Sequence, residues 1–104
     1  MEMTVFKEMA CNGLYQILVW KLGIFPRKIY PDSTLRKDLG LDAVDMGDLC
    51  EAIEKKFKID RIETFHILTS DIEVEALVDF IAEKLHGFTE REKTGLVNIK
   101  AGNH

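Results

Sequence analysis

Apolar residues return at helical spacing in three stretches of the chain, and the period fails between them. In the first, Val5, Phe6, Met9, Leu14, Ile17, Leu18 and Leu22 follow at steps of one, three, four and five. This predicts a helix over about Thr4 to Leu22 with one apolar face. Gly13 lies inside it and costs about 1 kcal/mol of helix propensity relative to alanine, so Asn12-Gly13 is expected to mark a kink or a break. Gly23 is placed to cap the C-terminus, and Pro26 and Pro31 forbid a long helix beyond it. The stretch IFPRKIYPDSTLRKDLGL is therefore read as a loop, anchored on the core by Ile24, Phe25, Ile29, Tyr30 and Leu35. Within it, Ser33 or Thr34 opens a turn over Leu35 to Leu39, which Gly40 ends.

A second helix is expected from Asp42, whose carboxylate is a good N-cap and meets the positive end of the helix dipole. Met46, Leu49, Cys50, Ile53 and Phe57 make its apolar stripe, while Asp45, Asp48, Glu51 and Glu54 occupy much of the remaining surface. Lys55, Lys56 and Lys58 crowd the last turn, where cations favour the dipole's negative end. In IDRIETFHILTS, Ile59, Ile62, Phe65, Ile67 and Leu68 fit one short helix or an irregular turn. Ser70 or Asp71 is then expected to cap a final helix through about Leu85, with Val74, Leu77, Val78, Ile81 and Leu85 on one face and Gly87 ending it. The residues beyond, FTEREKTGLVNIKAGNH, lack apolar periodicity. The expected division is a helical domain over 1–87 and a flexible tail over 88–104. No strand pattern or repeat stands out, so the fold class is all-α: three main helices and one short helix around a single core.

Composition narrows the function classes. With 104 residues, 46% of them hydrophobic and 31% charged, the chain suits one small globular domain. Its formal charge of -4 disfavours nucleic acid and anionic membrane as partners and favours a basic protein surface. No apolar run approaches the ~20 residues that span a bilayer, and the N-terminus has no signal-peptide core, so a cytoplasmic location is expected. Cys11 and Cys50 form no CxxC pair; both fall in helical patterns and are expected to be buried free thiols.

The order of elements, together with Asp38-Leu39-Gly40-Leu41-Asp42-Ala43-Val44-Asp45, Asp48-Leu49 and Glu51-Ala52-Ile53-Glu54-Lys55-Lys56-Phe57, resembles the acyl carrier proteins from about Val5 to Leu85. The resemblance implies a four-helix acyl-carrier bundle, working as a cytoplasmic monomer. In that family a serine in the Asp-Ser-Leu signature receives phosphopantetheine from coenzyme A. It also implies that Asp42, Val44, Asp45, Asp48 and Glu51 dock on basic patches of phosphopantetheinyl transferase and of enzymes of fatty-acid, polyketide or lipid biosynthesis.

The departure falls on the attachment residue itself. Ala43 stands where the family's serine would be, and its methyl group has no oxygen with which to form a phosphodiester. As written the chain takes no cofactor; phosphopantetheine is implied only if residue 43 were serine. Gly47 and Glu51 also stand where the family often has apolar residues, which a single engineered change at Ala43 would not explain. Two origins remain open: a carrier altered at one position to hold it in the apo form, or a native alanine in a domain that docks without transport.

Other chemistry finds little support. The spacing D-x-x-D-x-x-D over Asp42, Asp45 and Asp48 is not a calcium loop. His66, His86 and His104 are widely separated, and no pairing with cysteine has metal-ligand spacing. No catalytic triad order or glycine-rich phosphate loop occurs, so neither an enzyme nor a metal site is expected. The alternative from another class is a small helical protein–protein interaction module without carrier function.

Overall fold

The computed structural model describes residues 2–87; the expected tail over 88–104 and His104 lie outside the described residues. Four helices enclose one core, and the described residues contain no strand, only an isolated antiparallel bridge between Thr34 and Glu73. Leu14, Leu18, Leu49, Ile53, Leu77 and Ile81 from the three longer helices, Leu35 from the loop and Thr64 from the short helix are fully buried.

The first helix, α1, spans Glu2–Gln16 and runs without interruption into a π-helical turn over Ile17–Lys21. Asn12-Gly13 therefore makes no break, contrary to expectation. Gly13 is buried where α1 meets the end of the second helix. A Cβ there would collide with the Phe57 ring, lying 2.9 Å from Cε1 and closer still to Cζ. The glycine answers a tertiary contact and not a turn.

The π turn corrects a mismatch in the sequence. At 3.6 residues per turn, Lys21 stands four residues after Ile17 and seven after Leu14, so a plain α-helix would aim Lys21 at the core. One wider turn, closed by the Leu22 N–H donating to the Ile17 carbonyl at 3.0 Å, brings Leu22 inward instead. Gly23, at φ +71°, then reverses the chain as expected, and the Ile24 N–H returns to the Leu18 carbonyl at 2.9 Å.

In the loop, Leu35 is buried and Ile24 and Ile29 are half-buried, as anchors should be. Phe25 and Tyr30 are not anchors. Phe25 is 62% exposed, with the Arg27 guanidinium 5.7 Å above its ring, and Tyr30 is similarly exposed. Thr34 and Asp38 exchange hydrogen bonds around the turn over 35–39: the Thr34 N–H donates to the Asp38 carboxylate at 2.8 Å, and the Asp38 N–H to Thr34 Oγ1 at 3.1 Å. Gly40 ends that turn at φ +75°.

The second helix, α2, spans Ala43–Phe57 and ends on Lys58 in the left-handed conformation. The short α3, Arg61–Ile67, is capped by Asp60, which accepts from the Ile62 N–H at 2.8 Å. Ile59 and Leu68 flank it and are buried, whereas Ile62 and Phe65 point to solvent. The helix over residues 74–87, α4, starts later than Ser70 or Asp71 would place it. The reason is that Asp71 caps something else: its carboxylate accepts the Arg36 and Lys37 N–H groups at 2.7 and 3.2 Å. With Leu35 N–H to the Ile72 carbonyl, Val74 N–H to that of Ser33 and Glu75 N–H to that of Pro31, this ties the loop to the entry of α4. Gly87 is still helical, so the expected end of α4 lies outside the described residues.

Candidate functional site

The loop fastened in this way delivers the chain to the start of α2. Asp42 takes an extended conformation, φ -96° and ψ -174°, and its carboxylate accepts the Asp45 N–H at 2.8 Å. Asp45 answers by accepting the Asp42 N–H at 3.2 Å. This reciprocal pair satisfies two amide donors that a helix start leaves without partners, with a second aspartate in place of the usual glutamate. Ala43 is thereby the first residue of α2 and exposed, and Val44 beside it is 72% exposed.

The expected face of Asp42, Ala43, Val44, Asp45, Asp48 and Glu51 is thus assembled along the solvent side of α2, opposite the buried Met46, Leu49, Cys50 and Ile53. Its carboxylates differ in what they already hold. Asp42 and Asp45 are used by the helix start. Glu51 pairs with Lys55 at 3.3 Å, and this hydrogen bond and charge, aided by Arg61 and Lys21, hold its carboxyl below the ordinary range. Glu54 accepts from Arg61 at 2.7 and 2.8 Å. Asp48 has neither a hydrogen-bond nor an ion-pair partner among the described residues. Gly47 opens a gap in the face, since a Cβ there would meet nothing within 4 Å.

Other candidate groups are scattered. Cys50 is buried, and burial pushes its thiol up, but Cys11 is exposed on α1, against expectation. Buried Ala10, Gly13, Leu14 and Ile17 set the inward side of α1, and Cys11 falls outside it together with Val5 and Met9, which the apolar period places on the inward face. His66 is exposed on α3, and the His86 ring meets Phe6 edge-on at 5.6 Å between centroids. No three His, Cys, Asp or Glu residues gather as metal ligands among the described residues. No described helix is long and apolar enough to cross a membrane. One exposed residue was missed by the sequence reading: Trp20, on the π turn.

Fold and site together define a small all-α domain that presents the capped N-terminus of its second helix to solvent. No family model matches the chain. It is, however, similar to the acyl carrier protein of Cyanidium caldarium, 33% identical over 88 residues, which covers 79% of this chain and 93% of that relative. The acyl carrier proteins of Chlorobium phaeovibrioides and Chlorobium luteolum are each 30% identical over 77 residues, 70% of this chain and 91% of theirs. The chain belongs to the acyl carrier protein family.

Proposed function

We propose that this chain is a carrier scaffold that docks on acyl-chain enzymes through the solvent face of α2 but, with Ala43, takes no prosthetic arm. The observation that carries the reading is the position of Ala43. It is the exposed first residue of α2, directly after a reciprocal cap, in a chain of the carrier family. Transfer of phosphopantetheine requires a hydroxyl oxygen at this position to attack the pyrophosphate of coenzyme A. A methyl group supplies neither a lone pair nor a proton to lose. The residues present therefore do not fit the group, and without its thiol no acyl thioester forms on this chain.

What remains is recognition. Asp42, Asp45 and Asp48 stand on one side of α2 with no lysine or arginine among the described residues paired to them, so the first half of the helix keeps its negative field. Such a face attracts the basic docking patches of phosphopantetheinyl transferase and of enzymes of fatty-acid, polyketide or lipid synthesis. The attraction is screened over a Debye length of ~10 Å at moderate salt. The domain acts in the cytoplasm as a monomer, binding protein and neither nucleic acid nor membrane.

The test is Ala43→Ser, incubated with coenzyme A and a broad-specificity phosphopantetheinyl transferase and weighed intact. One arm is expected, at residue 43, and none on the unaltered chain. A folded Ala43→Ser protein that gains no mass would show that the recognition face is not that of a carrier.

A further inference from the structure

An open groove of about 430 Å³ runs along α1, within the ~300–1,000 Å³ common for pockets that hold a ligand. One wall is an edge of α1 from Thr4 to Tyr15, the other is Val74 and Val78 of α4, and the loop contributes Ile29 and Tyr30. No residue of α2 lines it. Tyr30, 59% exposed, thus stands beside other apolar groups without being covered by them. Lys7 on the α1 wall is held by Asp79 at 3.1 Å, whereas Glu8 and Glu75, which also line the groove, have no ion pair among the described residues. The walls are apolar and the uncompensated charge is negative.

The chain continues beyond Gly87 through residues 88–104, whose densest apolar group is Leu96, Val97 and Ile99, followed at once by Lys100. This segment is within reach of the groove. Phe6, early in α1, meets the ring of His86, late in α4, at 5.6 Å between centroids, while Tyr15 shares the groove with Val74 and Val78. The two helices therefore run antiparallel, and the Thr4 end of the groove lies nearest to the point where the chain leaves α4. From Gly87 back to Val78 is nine residues of helix, about 14 Å. Residues 88–95, extended, span up to about 26 Å. A segment that enters at the Thr4 end brings Lys100 towards the far end, where the Glu75 N–H donates to the Pro31 carbonyl at 2.8 Å.

We infer that residues 96–100 of this chain occupy the groove. Val97 and Ile99, which an extended chain sets on one face, pack against Tyr15, Tyr30 and Val78, and Lys100, on the other face, reaches the Glu75 carboxylate. Tethering decides the occupant. A segment joined by so short a stretch competes at an effective concentration in the millimolar range, above that of a second copy or a separate partner at ordinary concentrations. The acidic groove also favours a segment that ends in lysine. Missing apolar periodicity is no obstacle, since an extended segment in a groove needs alternate residues only.

The test is nuclear magnetic resonance of the unaltered, isotopically labelled full chain. Nuclear Overhauser effects are expected between the Val97 and Ile99 methyl groups and the Tyr15 and Tyr30 rings. The amides of residues 96–100 should give heteronuclear Overhauser values close to those of the helices. Ile99→Asp should abolish both while the resonances of α2 and α3 stay in place. Glu75→Lys and Lys100→Glu should each weaken the ring–methyl effects, and the double charge swap should restore them. Cys11, on the same wall, should react with a thiol reagent several-fold faster in Ile99→Asp than in the unaltered chain, and in both long before the buried Cys50. Ring–methyl effects that arise only between labelled and unlabelled chains in a mixed sample would place a second copy in the groove and overturn the inference. Heteronuclear values near zero over 96–100, with no ring contacts, would overturn it as well and leave the groove to a separate partner. Neither outcome bears on docking through α2.

Discussion

Gly13 and Gly47 occupy interior positions of α1 and α2, and helix propensity alone says that alanine at either gains about 1 kcal/mol. Their surroundings give opposite signs. At Gly47 a methyl group meets nothing within 4 Å, so Gly47→Ala should keep the full gain. At Gly13 the methyl group overlaps the Phe57 ring and presses on Lys56 at 3.1 Å, so the ring must leave its half-buried seat. Full burial of a phenylalanine contributes about 1.5–3 kcal/mol; losing much of it outweighs the propensity gain, leaving a net loss of about 1 kcal/mol. Urea unfolding followed by circular dichroism separates the cases, and in thermal scans each should move Tm by about 4–8 °C, upward for Gly47→Ala and downward for Gly13→Ala. Phe57→Ala removes the obstacle, and in that background Gly13→Ala should become stabilising. A stabilising Gly13→Ala in the unaltered chain would refute the close packing of α1 on α2.

Two further outcomes are expected. Hydrogen bonds from the Thr34 N–H and hydroxyl lower the Asp38 carboxyl below its ordinary 3.8, so its contribution is present above that value and lost as pH falls through the lower folded value. Asp38→Asn keeps an acceptor but cannot titrate, so stability measured from pH 7 down to below 3.8 should fall less steeply in the variant; equal slopes would contradict the assignment. Ellman's reagent should modify one thiol quickly in the folded protein, Cys11, and the second only in denaturant, because Cys50 is buried with its thiol held protonated. Two fast thiols would place Cys50 at the surface.

The sequence made α2 legible because every local signal there agrees. Asp42 caps it, the stripe from Met46 to Ile53 is buried as the period requires, and Lys55 and Lys56 close the last turn. Legibility failed where a residue answers to something distant. Gly13 reads as a breaker until Phe57, far along the chain, is seen beside it. Asp71 reads as a helix cap, but its acceptors are claimed by Arg36 and Lys37 across the fold. Phe25 and Tyr30 read as anchors because apolarity says nothing about which side of a loop faces in. For the candidate face, the place of each residue on α2 followed from the helical period but their differences did not: that Asp48 has no partner among the described residues, while Glu51 and Glu54 do, depends on Lys55 and Arg61 reaching those two. The π turn left one sign, the five-residue step from Ile17 to Leu22 with Lys21 on the core side.

Residue 43 is exposed, and the helix start around it is secured by its neighbours Asp42 and Asp45. Folding is therefore indifferent to a hydroxyl at this position. A chain that lost or gained one there would persist in the cell at the same abundance, because quality control recognises exposed core and not missing chemistry. Only a demand for the arm itself could keep a serine in place. Where that demand lapses, a chain that folds as before, with the same capped start to α2, is what drift leaves behind.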